Sequence, residues 1–142
     1  MDKLSTKALE QALASLKQSV DVTRPILGDK KTSNALKKTL QAGVIQHFEF
    51  CYELAWKTLK RFLEINTSDA ALIDKMSYQE LIREGAQFGL IGNAEKWLQY
   101  RHQRNLTSHT YHEETAETVY QTAIEFYVDA FNLLYQLKEK IK

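Results

Sequence analysis

The chain has little of what breaks or staples a fold. Among 142 residues there are one cysteine, one proline and five glycines. A lone Cys51 cannot close an internal disulfide and reads as a small buried hydrophobe. With so few Pro and Gly, turns are rare, and no stretch shows clean alternation of apolar and polar residues between turns. That excludes a sheet protein. No run of 18 apolar residues exists, which excludes a spanning helix. The N-terminus enters an amphipathic pattern at once, without the features of a signal peptide, so a cytoplasmic location with no membrane partner is expected. Excess charge is also missing. The formal net charge is +1, so no global field marks a nucleic-acid binder and any such contact must be local. The densest basic stretch, Lys30, Lys31, Lys37 and Lys38, reads as a solvated helix start. Four histidines and one cysteine make no zinc spacing, so neither a structural metal nor a cofactor is expected.

What is present is helical periodicity, and 142 residues make one domain, 1–142, the default. Leu9, Leu13, Leu16 and Val20 form one stripe of a helix from Thr6 to Val22. It is expected to stop before Arg24-Pro25, because a residue preceding proline is pushed out of the helical region. A long helix from about Ser33 to Glu64 follows, capped by Ser33 or Asn34. Its stripe is Leu36, Leu40, Val44, Phe48, Cys51, Ala55, Leu59 and Phe62. Gly43 inside it costs about 1 kcal/mol relative to Ala, with close helix packing as a reason to keep it. Ser77-x-x-Glu80 is a capping box for a third helix that Gly89 should end. A fourth helix begins after Asn93. The last runs from about Glu113 to Ile141, with Val119, Ala123, Phe126, Ala130, Leu133, Leu137 and Ile141 inward. The fold class is therefore all-α: an antiparallel up-and-down bundle of four main helices plus a short one.

The chemistry concentrates in Arg104 to Tyr111, spaced Arg-x4-His-x-Tyr. Arg104 offers a planar fork for phosphate oxygens. His109 can take or give a proton near neutral pH, and Tyr111 adds a phenol. In an unbroken helix Arg104 and His109 would lie about 140° apart. Their convergence needs a break or a second chain. Asn105, Thr107, Ser108 and Thr110 favour a break. Thr110-x-x-Glu113 reads as a second capping box, with Glu113 and Glu114 in the favourable first turn. Glu49, Glu53 and Lys57 share one face of the long helix. They read as an ion pair between Glu53 and Lys57, or as one wall of a polar groove with Asn105 and Ser108. Trp56 and Trp97 read as core or interface anchors in preference to the alternative, base-stacking platforms.

The stretch from Arg104 to Ala116 resembles the motif region of HEPN-type proteins. It is most similar to the small helical "nucleotidyltransferase substrate-binding" family and its HepT toxin relatives. The block from Phe48 to Lys60 looks like that family's long-helix signature, and Ile82-Arg83-Glu84-Gly85 and Gly89-Leu90-Ile91 look right for it. The resemblance covers roughly residues 5–140. His112 departs from it, since Asn or Asp would be expected as the cap there. The resemblance implies a HEPN-like bundle that forms a homodimer, with a separate small nucleotidyltransferase as partner. It further implies a metal-independent endoribonuclease. His109 would activate the ribose 2′-OH or protonate the leaving oxygen, and Arg104 would hold the phosphate. Tyr111 would accept nucleotide groups from the partner, which silences the toxin. The alternative is a non-catalytic subunit that binds nucleotide or substrate and completes the partner's site. The chain lacks the Gly-Ser and paired-Asp signature of a transferase domain, so it is not the transferase itself.

Overall fold

The computed structural model describes residues 4–142, and among them every regular element is helical. The helices are α1 (Lys7–Leu27), α2 (Asn34–Ile65), α3 (Ala70–Asp74), α4 (Tyr78–Gln87), α5 (Ala94–Asn105) and α6 (Glu113–Lys140). A 3₁₀ turn, Leu106–His109, joins the last two. The long helices α1, α2 and α6 pack against one another, and α4 and α5 close the bundle beside α2. The predicted stripes meet in one core of Leu13, Leu16, Phe48, Cys51, Ala55, Leu59, Phe126, Ala130 and Leu133. Phe126 is its aromatic centre, with Phe48 and Tyr100 edge-on at ring distances of 5.2 Å. The Cys51 thiol donates to the Ala12 carbonyl at 2.9 Å, across the contact between α1 and α2.

Local signals explain most helix ends. Ser33 caps α2 by accepting from the Leu36 N–H. Ser77 and Glu80 form the predicted reciprocal box. Asn93 caps α5 through the Lys96 N–H. Gly89, at φ +77°, ends α4 in the left-handed conformation that glycine adopts without strain.

Four expectations are corrected. Helix α1 does not stop before Pro25; it contains that residue and runs to Leu27. Asp21 and Pro25 are both exposed, so the carbonyl left without its N–H partner faces solvent, one turn from the end. The single turn α3, capped by Asp69, escaped periodicity because five residues are too few to show any. Leu36 and Ile141 lie outside the core, 47% and 43% exposed, one in the first turn of α2 and the other just past the end of α6. Gly43 is not a close-packing site within the chain: a Cβ there would meet nothing within 4 Å. No described helix is long and apolar enough to cross a membrane.

Candidate functional site

The break between Arg104 and His109 exists, and Thr107 makes it. Helix α5 ends at Asn105 and the chain tightens into the 3₁₀ turn. The buried Thr107 hydroxyl donates to the Arg104 carbonyl at 2.8 Å and accepts from Arg104 Nη1 at 3.0 Å. One short side chain thus caps the end of α5 and orients the guanidinium. The sequence reading missed this role, although a threonine three residues after an arginine at a helix end is its local signature. Thr110 does not form the predicted capping box. Its hydroxyl donates to the Thr107 carbonyl at 3.1 Å instead. The cap position of α6 is His112, whose side chain makes no capping bond.

The loop presents its ring side chains outward. His109 and Tyr111 have ring centroids 6.4 Å apart, and Tyr111 lies 4.3 Å from His112. Tyr111 is 76% exposed, and His109 and Ser108 are also exposed. A partner enzyme could reach the Tyr111 hydroxyl without unfolding anything.

Arg104 faces the opposite way, toward α2. Its guanidinium lies 3.8 Å from Glu49 and 3.7 Å from Glu53, within ion-pair range but beyond hydrogen bonding. Lys57 reaches the same Glu53 at 3.7 Å. The acidic pair read on one face of α2 therefore gathers around Arg104, and the Glu53–Lys57 ion pair forms as well. Asn105 joins Arg104 at the mouth of a cleft. No hydrogen bond or ion pair among the described residues links Arg104 to His109.

Two clefts flank the loop. One, of about 430 Å³, opens between α2, α4 and α5 beside Arg104. Its aromatic lining of Tyr52, Trp56 and Tyr78, and the cation Arg101, were not identified as site residues from sequence. Spacing held the signal: Tyr52 and Trp56 are four apart on α2, and Arg101 and Arg104 three apart on α5. Burial pushes the Tyr52 phenol well above its ordinary range and the Tyr78 phenol up to about 12, so both stay protonated. The second cleft, of about 580 Å³, runs under Tyr111 and includes Lys37, Lys38 and Gln41. Lys38 pairs with Glu113 at 3.2 Å, which ties part of the basic stretch to the start of α6.

Fold and site together define a small all-helical protein that carries an exposed histidine and tyrosine beside a carboxylate-held arginine. Residues 4–140 match the family described as nucleotidyltransferase substrate binding protein like, and the chain belongs to that family. It is 40% identical over 142 residues to a Haemophilus influenzae protein described as a probable ribonuclease HepT, covering 98% of this chain and 95% of that one. A solved H. influenzae structure, described as the fold of a substrate binding domain of a nucleotidyltransferase, superposes with a TM-score of 0.89. The two are 37% identical over 94% of this chain and 99% of the other. A Thermus thermophilus structure, with a TM-score of 0.67 and 24% identity over 94% and 98% of the two chains, shares the fold.

Proposed function

We propose that the chain is the helical half of a two-protein system and acts as a metal-independent endoribonuclease that a separate small nucleotidyltransferase silences. The observation that carries this reading is the 3₁₀ break. It leaves His109 and Tyr111 free at the surface while Arg104 stays oriented one turn away. In this reading a cytoplasmic homodimer brings two such loops together across its two-fold axis. His109 removes the ribose 2′-OH proton, the 2′-oxygen attacks phosphorus, and the 5′-oxygen leaves with a proton returned by a histidine. The products are a 2′,3′-cyclic phosphate and a 5′-hydroxyl. Arg104 holds the phosphate and meets the charge that grows on it. The name of the H. influenzae relative, a probable ribonuclease, supports the activity. Family membership supports the transferase partner.

One observation favours a second reading, in which the chain is a non-catalytic subunit presenting nucleotide or substrate to the transferase. Glu49 and Glu53 already sit against Arg104, and the net charge is only +1, whereas RNA affinity leans on basic surface. Purified chain incubated with RNA and a chelator separates the two. Cleavage that leaves cyclic phosphate ends and is lost in both His109→Ala and Arg104→Ala supports the ribonuclease. Intact RNA under all conditions, with stimulation of the transferase, supports the presenting subunit.

A further inference from the structure

The cleft beside Arg104 has the build of a base-binding subsite. Its floor holds the Tyr52 hydroxyl, in a residue only 2% exposed. That oxygen makes no hydrogen bond of good geometry in the protein, and the Tyr78 hydroxyl beside it is the one group near enough to share one. The neighbouring Tyr78 hydroxyl donates elsewhere, to the Trp97 carbonyl at 3.0 Å. A buried hydroxyl without a partner is unfavourable unless something else supplies the bond. Tyr52 is one of the residues that line this cleft.

The walls suit a flat heterocycle. Trp56 and Tyr78 meet edge to face at 89° with ring centres 6.1 Å apart, an aromatic corner at the side of the cleft. The Arg101 guanidinium lies 4.9 Å over the Tyr78 ring, and the hydrogen bond to Trp97 fixes that ring. The corner is therefore organised before any ligand arrives. The mouth carries Arg101 and Arg104 on one side of α5, placed for phosphates. A cavity of about 430 Å³ falls within the roughly 300–1,000 Å³ of ordinary ligand pockets. Stacking on aromatics with cations at the backbone is how single-stranded nucleic acid is held.

We infer that this cleft receives the base of one nucleotide, stacked in the Trp56–Tyr78 corner with its polar edge on the Tyr52 hydroxyl, while Arg104 and Arg101 take the flanking phosphates. That the nucleotide belongs to an RNA strand rests on the ribonuclease reading; the base subsite itself does not. Under that reading the cleft makes cleavage depend on the identity of one base next to the scissile phosphate.

The test uses the full chain and six probes at millimolar concentration: the four nucleoside 5′-monophosphates, ribose 5-phosphate and inorganic phosphate. Binding is read from the Trp56 indole resonance, with the fully buried Trp97 as internal reference. The expected result is saturable movement of Trp56 by the mononucleotides, with one base preferred, and little movement by the two probes without a base. Tyr52→Phe should weaken the preferred mononucleotide about ten-fold, one hydrogen bond's worth. It should change the melting temperature little, because the oxygen makes no hydrogen bond of good geometry in the free protein. Trp56→Leu should abolish the base preference while the chain stays helical. Equal binding of ribose 5-phosphate and mononucleotides, an unmoved Trp56, or unchanged affinity in Tyr52→Phe would each overturn the inference. RNA cleavage with no mononucleotide response refutes the subsite alone. Mononucleotide binding without any cleavage refutes the ribonuclease reading alone.

Discussion

Arg104 Nη2 and Glu49 Oε2 stand 3.8 Å apart, joined by charge but not by a hydrogen bond. The guanidinium makes one good hydrogen bond, to Thr107, and its Nε has none. It is therefore held in place with its Nη2 free of hydrogen bonds, and a phosphate oxygen can take that donor. Each nearby carboxylate opposes that phosphate. Glu49→Gln should then tighten binding of RNA, or of a single-stranded DNA analogue, about three-fold at low salt, and the gain should fade as salt screens it. Titrations at two salt concentrations read this directly. Affinity that is unchanged or weaker in the variant would mean that Glu49 does not compete for Arg104.

Two glycines predict opposite outcomes. A Cβ on Gly85 would come within 3.0 Å of both Ile91 Cγ1 and Leu59 Cδ2, so Gly85→Ala overpacks the contact between α4 and α2. A loss of about 1–3 kcal/mol is expected. Gly43 faces open space, and Gly43→Ala should add about 1 kcal/mol through helix propensity. Urea unfolding of both variants decides. A Gly43 variant that loses stability, with a midpoint that depends on protein concentration, would show instead that a second chain covers that face.

These contrasts show how far the sequence could be read. The stripes of α1, α2 and α6 were legible because burial repeats every three or four residues over several turns. The caps at Ser33, Ser77 and Asn93 were legible because each uses a side chain within three residues. Pro25 misled because its effect depends on whether the freed carbonyl faces water, which only the packed helix reveals. Thr110 misled because the last helix starts two residues later than the spacing implied, with His112 in the cap position, and the Thr110 hydroxyl donates back to the Thr107 carbonyl. At the candidate site, the weak helix formers between Arg104 and His109 pointed to the break that the structure has there. The pairing of Arg104 with Glu49 and Glu53 joins residues some 50 positions apart, and local pattern carries no such information. The Tyr52–Trp56–Tyr78 cleft was hidden for the same reason. Its aromatics look like core residues until the third dimension leaves a gap between them.

Alkali should find a weak point between α1 and α2. The Cys51 thiol is fully buried, and burial pushes its pKa from 9.0 up to about 12. Below pH 9 the thiol is neutral whether the chain is folded or not, so its contribution to stability is fully present. Between pH 9 and about 12 the unfolded thiol ionises and the folded one does not, and stability falls through that window. Cys51→Ala should lower stability near neutrality by leaving a small cavity, yet show a shallower loss on the alkaline side. Urea midpoints at about pH 8 and about pH 11 for both proteins test this. Parallel losses in the two would assign the alkaline limb to the buried tyrosines.

Regulation should act through Tyr111, whose hydroxyl is the most accessible group of the motif. Its ring lies 6.4 Å from that of His109, so a nucleotide carried on its oxygen would crowd the histidine and bring a phosphate's charge into the loop. The cleft under Tyr111 includes Lys37 and Lys38, cations suited to an attached phosphate. Modification should therefore block RNA binding as well as cleavage. Tyr111→Phe should keep full activity, because the proposed mechanism gives the phenol no part in moving the proton or holding the phosphate, and it should escape the partner's control. The measurement is mass spectrometry after co-expression with a small nucleotidyltransferase of the kind this family partners, beside RNA cleavage by the chain with and without it. The expected mass gain corresponds to one or more nucleotide units on the peptide containing Tyr111, and it should be absent from Tyr111→Phe. A partner that leaves Tyr111 untouched, or modifies another residue while Tyr111 is intact, would turn the assignment to the substrate-presenting subunit.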